Sequence, residues 1–346
     1  MFKLGYVHKV TLISNDLCIG DYVMTTQLPV KMIAQLEDIA VFQTAAFVEG
    51  NIEQEDQRLQ DDYLSADYGA LNLGLHVADN PSVVLDNRMR LLSAINQQLD
   101  QSPYSRHPTL IKSLHWVNQV HGNDVQETDV LSLRMQPISA DAMISQQDAV
   151  GLAIMTADCV PIVLYQPASG KIAAIHAGWQ GLANGIIKVT AERFTVEGQI
   201  MAWMGVCISH SQYEVGTQVV EKLHLGCINN ELLTTSKLKD FERLYVAPSH
   251  SDINSDVSCK DLHNVVDKLS NIAKVSSSKI KLNLPKLAAD QLSTVGISLC
   301  NDQAIACSYT DHRFYSYRRQ THLRQSATGR MAFVIVRHCS IRNAVD

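Results

Sequence analysis

Three apolar runs dominate the middle of the chain: GLAIMTA (151–157), CVPIVLYQ (159–166) and KIAAIHA (171–177). Runs this short, rich in Ile, Val and Ala and bounded by Gly, Pro and Ser, read as buried strands. PASG (167–170) between the last two is turn chemistry. A turn centred on Ala168-Ser169 folds the second run onto the third as an antiparallel hairpin, with residue 161 opposite 176 and 159 opposite 178. Cys159 and His176 then fall at the same end of the hairpin, as diagonal neighbours whose β-carbons are roughly 7–8 Å apart or less. They are close enough to share a metal ion or to form a thiol–imidazole pair.

His121, in NQVHGND, is the third candidate: an apolar-leading stretch runs there into a Gly-Asn-Asp turn. Rigid strand ends beside turns are where catalytic groups are commonly held. Two histidines and a cysteine make three ligands with an open fourth position, the pattern of a catalytic rather than a structural zinc site. Spacing alone does not choose His121 over His115. Asp141, in SADAMIS, either orients a ligand histidine or forms a turn. Asp158 either supports the site or caps a turn. Arg88 carries donors suited to a phosphate or carboxylate, but spacing alone reads it as a surface arginine. No Walker loop, Rossmann glycine fingerprint, GxSxG elbow or HExxH motif occurs.

The rest of the 346 residues supports a globular α/β chain. Residues 1–40 read as a strand-rich opening segment, and 50–66 as an acidic solvated loop or short helix. SVVLDNRMRLLSAINQQL (82–99) has helical spacing, with Val84, Met89, Leu91, Leu92 and Ile95 on one apolar side and Asn80 or Ser82 capping its start. LANGIIKVTAERF (182–194) and LPKLAADQLSTVG (284–296) also read as helices, and 225–280 as a mainly helical insertion or elaborated loop. IMAWMGVCI, AIACSY and MAFVIVR read as strands.

A net charge of -6 without a basic stripe argues against nucleic acid. The Arg313–Arg330 cluster reads as solvated surface before it reads as an anion site. The absence of any apolar run of about eighteen residues argues against a membrane span. The start does not read as a signal peptide, and eight scattered cysteines without a CxxC pair point to reduced thiols in the cytoplasm.

Several ordered motifs carry a resemblance over most of the chain: LNLGLHVADNPSVVLDNR, WVNQVHG, SADA, MTADCVPIVLY, AAIHAGWQGLANGII, YEVG, and SYTDHRFYSYRR with TGRMA. The chain resembles the multicopper polyphenol oxidase (laccase-domain) family, also described as peptidoglycan editing factors, which has a purine-metabolising mammalian relative. The resemblance implies one α/β domain over 1–346, with an N-terminal extension (about 1–40) and an insertion (about 225–280). The implied architecture is a four-layer α/β/β/α sandwich with mixed sheets, like the cysteine hydrolases of the cytotoxic-necrotizing-factor kind. The resemblance makes His121, Cys159, His176 and Arg88 the catalytic residues, with His121, Cys159 and His176 holding zinc, or alternatively copper, and Arg88 in the pocket holding phosphate. The implied activity is zinc-dependent phosphorolysis of adenosine, inosine and methylthioadenosine, with deamination of adenosine by a metal-activated water. The partners are then a small purine nucleoside and phosphate, and the oligomeric state stays open. The alternatives are a copper-dependent polyphenol oxidase (laccase), a cysteine amidase acting on peptidoglycan precursors through Cys159 and His176, and a non-catalytic descendant that binds a ligand. The chain departs from the family's pattern at Ala45 and Gln180, which stand where arginines are usual. It departs again at GVCISHSQ, which replaces a Gly-Pro-rich stretch, and at THLRQ, inserted after SYRR.

Overall fold

The computed structural model describes residues 28–36, 38–47, 66–102, 110–128, 138–248 and 279–338. Among these, two mixed sheets form the body of an α/β fold. One runs in the order β1 (Val30–Gln35), β2 (Ile39–Thr44), β14 (Met331–Arg337), β6 (Val150–Thr156) and β3 (Ser113–His115). The other runs β13 (Ser298–Leu299), β9 (Met201–Met204), β7 (Val160–Gln166), β8 (Lys171–Ala177), β5 (Ala142–Ser145) and β4 (Val125–Glu127). A small third sheet joins β10 (Glu214–Gly216), β12 (Lys279–Leu282) and β11 (Val246–Pro248).

The apolar runs form strands because both faces of the central strands are covered. β6 and β7 are buried along their whole length, and β8 and β14 along all but one terminal residue. Strands buried on both faces read as continuous apolar stretches rather than alternating ones. One apolar cluster lies between the sheets, joining Ile154 and Phe333 of the first to Val163, Ala174 and Trp203 of the second. A second covers the opposite face of the six-stranded sheet with helices α2 (Trp179–Ala183), α3 (Ile186–Ala191), α4 (Thr217–Asn229) and α7 (Leu284–Thr294). A third packs α1 (Pro81–Asp100) on the opposite face of the five-stranded sheet.

The hairpin β7–β8 has the register that its turn chemistry predicts, with Pro161 opposite His176. β6 is not its third strand. It pairs with β14 and β3 in the other sheet, so residues 157–159 carry the chain across from one sheet to the next. The loop from β3 to β4 makes the same crossing.

Helix α1 starts at Asn80, whose side chain accepts from the Ser82 N–H, with Pro81 at the first helical position. It buries Val84, Leu91, Ile95 and Leu99, whereas Met89, expected on that side, is 72% exposed. Five residues beyond Val84 is about 140° around a helix, off the buried stripe. The 182–194 helix is broken at Asn184-Gly185, where Gly185 takes φ 78 and a Cβ would meet Leu232 at 3.0 Å. AIACSY is not a strand: it pairs through the single bridge Cys207–Cys307, with the Ser308 N–H on the Cys207 carbonyl and the Ser308 hydroxyl on the Asp158 carboxylate. Residues 225–248 form the end of α4, α5 (Thr235–Lys239), α6 (Phe241–Tyr245) and β11, and α8 (Tyr317–Leu323) precedes β14. Residues 1–27, the acidic stretch from 50 to 65 and residues 249–278 lie outside the described residues.

Candidate metal centre

The two crossings between sheets meet, and both turn through left-handed backbone. His121, on the β3–β4 crossing, has φ 61, and Asp158, on the β6–β7 crossing, has φ 118. Non-glycine residues held there cost about 1–3 kcal/mol each and persist only where their surroundings fix them. At Asp158 the fixing is plain: its carboxylate accepts from Ser308 Oγ at 2.7 Å and from the Arg318 N–H at 2.6 Å, and its carbonyl accepts from the Ile208 N–H at 2.8 Å. The turn aims the next side chain, Cys159, at the rim of β8.

Asp141 fixes the other crossing. It is fully buried, and Oδ1 accepts from the His121 N–H at 2.9 Å while Oδ2 accepts from the Gly122 N–H at 2.6 Å and the Val120 N–H at 3.3 Å. The same Oδ1 accepts from His176 Nδ1 at 2.8 Å. A carboxylate only accepts, so Nδ1 of His176 carries a proton and Nε2 is the nitrogen left to serve Cys159 or a metal ion. The turn-forming and histidine-orienting roles open in the sequence are both filled by this one side chain.

His121, Cys159 and His176 thus converge, each offering one ligand atom, with all three atoms within 4.8 Å of one another. Cys159 Sγ stands 3.9 Å from His121 Nε2, near the roughly 3.5 Å that separates sulfur and nitrogen ligands on one tetrahedral zinc ion. The imidazoles cross edge to face, with centroids 4.7 Å apart. His115, the rival by spacing, lies on β3 with its Nε2 3.2 Å from Ser113 Oγ.

The donors are also tuned electrostatically. Burial works against a charged Cys159, but the His176 charge and hydrogen bonds from His121 and His176 outweigh it and bring the thiol down to about 6. Burial likewise opposes protonation of His176, but the Cys159 thiolate and Asp141 raise it to about 9. Burial opposes ionisation of Asp141, yet hydrogen bonds from His176 and Gly122 hold it below the ordinary carboxylate range. In metal-free protein, alkylation of Cys159 by iodoacetamide should therefore rise with pH to half its plateau near pH 6, since the thiolate is the nucleophile. Peptide mass spectrometry across a pH series checks this, and a midpoint near the ordinary thiol value of about 8.5 contradicts it.

Gly178 follows β8 and leaves the group its space. A Cβ there would lie 3.1 Å from His121 Cδ2 and 3.2 Å from Cys159 Sγ. Gly178→Ala should push both ligands apart and weaken metal binding by about 10-fold or more, on the scale of a disturbed ligand orientation. Competition against a chromogenic chelator measures it; unchanged affinity would show that the ligands move aside freely.

The family model described as multi-copper polyphenol oxidoreductase laccase matches residues 60–247 and 245–338, a span that contains every donor. The chain belongs to this laccase family. Curated relatives include the purine nucleoside phosphorylase YfiH of Escherichia coli (strain K12), 30% identical over 276 residues covering 78% of this chain and 86% of that protein. The purine nucleoside phosphorylase PA4543 of Pseudomonas aeruginosa is 29% identical, covering 78% and 87%. Among solved structures, protein NMB0706 of Neisseria meningitidis aligns with a TM-score of 0.60 at 24% identity, covering 89% of this chain and 99% of that one. YlmD from Geobacillus stearothermophilus aligns at 0.57 with 21% identity, covering 87% and 92%.

In this member of the laccase family, Arg88 is no surface arginine. Its Nε and Nη2 donate to the Leu73 carbonyl at 3.0 and 2.8 Å, and its guanidinium stacks on Trp116 at 4.1 Å. Gln180 is exposed on α2, and Ala45 is half-buried with its N–H on the Pro29 carbonyl. His76 and Arg330 stand near the donors and were not singled out in the sequence. His76 is pushed down by burial and then by the charges of Arg330, Arg88, His121 and His176. Both lie in family motifs, NLGLHV and TGRMA, and that was the available signal.

Proposed function

We propose that this chain is a zinc-dependent purine nucleoside phosphorylase that also deaminates adenosine, with adenosine, inosine and methylthioadenosine as its substrates. The observation that carries the reading is the donor set of two imidazoles and one thiol within 4.8 Å, built on two left-handed crossings. That set suits zinc and leaves a fourth position for substrate or water. When bound, zinc would supply Lewis acidity at that position. The chain's own residues do the rest. Asp141 binds Nδ1 of His176 and so reserves Nε2 for the ion, and in the metal-free protein Cys159 is held as thiolate by the two histidines. Arg88 offers its planar guanidinium to phosphate as the glycosidic bond breaks through a cation-like sugar. The phosphorolytic part draws support from relatives named purine nucleoside phosphorylase at about 30% identity. The α/β/β/α layering with a cysteine-hydrolase-like plan, and a cytoplasmic home for its scattered thiols, belong to the same reading.

A second reading, a copper-dependent phenol oxidase, is favoured by the family's description. Such an oxidase needs several coppers, and among the described residues one three-donor group is present. The test is chromatographic product analysis of purified protein with adenosine, with and without phosphate, alongside metal analysis. Inosine together with phosphate-dependent adenine or hypoxanthine supports the proposal. Activity that survives complete chelation points instead to a cysteine hydrolase using Cys159, and no product from zinc-loaded protein sinks the phosphorylase reading.

A further inference from the structure

We propose that Arg330, together with Arg88, forms the cradle that binds inorganic phosphate beside the metal donors; this rests on the phosphorylase reading above. One short segment holds both arginines. The Leu73 N–H donates to the Arg330 carbonyl at 3.0 Å, and the Leu73 carbonyl accepts from the Arg88 guanidinium. Asn72 Oδ1 accepts from the backbone N–H of Arg330 at 2.9 Å and of Gly74 at 3.0 Å, while its Nδ2 donates to Asp79 Oδ2 at 2.8 Å. Gly74 is pressed against the arginine stem, where a Cβ would meet Arg330 Cγ at 2.8 Å. The start of β14 and the middle of α1 are thereby fixed relative to each other, and with them the roots of the two guanidinium groups.

Neither guanidinium is ion-paired among the described residues. Arg330 places Nη1 on the Thr328 and Gly329 carbonyls at 3.1 and 3.0 Å, which leaves Nε and Nη2 unspent. Arg88 keeps Nη1 unspent, its other donors facing Leu73 and, at 3.6 Å, Met155 Sδ. Half-buried cations without an ion-paired partner are costly, and burial pushes both below the ordinary arginine value, with Cys159, Asp158 and Tyr317 opposing it only in part at Arg330. A tetrahedral oxyanion accepting from both would remove that cost.

The pair also stands in the right place. Met331 pairs with Thr156, so Arg330 sits beside the end of β6, and Arg88 touches Met155 one residue earlier. Three residues past Thr156 is Cys159, whose charge Arg330 feels. His76, on the exposed rim, feels both arginines and both donor histidines. The cradle supplies guanidinium groups where Ala45 and Gln180 supply none.

The test is titration of zinc-loaded protein with inorganic phosphate by calorimetry, with the phosphate KM of nucleoside cleavage measured in parallel. Arg330→Gln should weaken phosphate binding and raise that KM by roughly 10- to 100-fold, the scale of a lost charge-assisted pair. Arg330→Lys, which keeps the charge but not the fork, should fall between, and it stands in if the glutamine variant fails to fold. Phosphate affinity and phosphate KM within twofold of wild type in a folded Arg330→Gln protein would overturn the cradle. So would wild-type protein that binds no phosphate at millimolar concentration. If no nucleoside is cleaved but phosphate still binds and Arg330→Gln still weakens it, the phosphorylase reading fails while the anion site stands.

Discussion

Cys159→Ala is expected to lower nucleoside turnover by roughly a thousandfold or more, the scale seen when a group at the reacting centre is removed, and to leave the protein without stoichiometric zinc. The three donors stand within 4.8 Å, and two imidazoles alone make a weak site. Folding should survive. Cys159 is only half-buried, and its carbonyl keeps the hydrogen bond from Thr156 Oγ1 at 2.6 Å whatever the side chain. A thermal melt within a few degrees of wild type, beside lost activity and lost metal, is the expected pair of results. Wild-type turnover in the alanine variant would remove Cys159 from the chemistry.

Asp141→Ala should damage both stability and the site. It strips the acceptor from the N–H groups of Val120, His121 and Gly122 and from His176 Nδ1 in one stroke. Leaving buried donors unsatisfied beside an orphaned histidine costs about 3–5 kcal/mol. Zinc affinity should fall by about 10- to 100-fold, since the carboxylate orients one ligand ring and the backbone of another. Asp141→Asn should be milder, because its carbonyl oxygen still accepts while its amide opposes a backbone N–H. Urea unfolding and chelator competition read the two effects separately. A fall in stability with unchanged zinc affinity would make Asp141 a fold residue alone.

How far the site was legible depends on which physics fixed each part. The hairpin register came from a turn of fixed length and from period-two strands, so the approach of Cys159 to His176 followed from local rules. The sheet to which β6 belongs did not, because a strand buried on both faces carries no mark of its neighbours. His121 could not be separated from His115 by spacing, since what selects it is a left-handed turn clamped by a carboxylate twenty residues away in sequence. Asp141 offered two roles on local grounds, and only the meeting of β5 with β8 lets it fill both. Met89 was misplaced for a simpler reason: an apolar residue off the helical stripe was counted with it. Arg330 looked like one more cation in a basic stretch, because sequence does not record that no carboxylate is ion-paired with it among the described residues.

The crossing of the chain between sheets has a kinetic consequence. His121 and Cys159 sit on the two linkers that leave the five-stranded sheet, whereas His176 and Asp141 belong to the six-stranded one. All four residues fall between 121 and 177, but β6 of the other sheet lies among them in sequence, so each linker takes its direction from both sheets. Docking of the two sheets is therefore expected to complete the ion-binding geometry, and a chain whose sheets are undocked to hold a metal weakly. Capture of the ion then favours the docked state by mass action, and its uptake during refolding would report sheet–sheet assembly rather than the growth of either sheet.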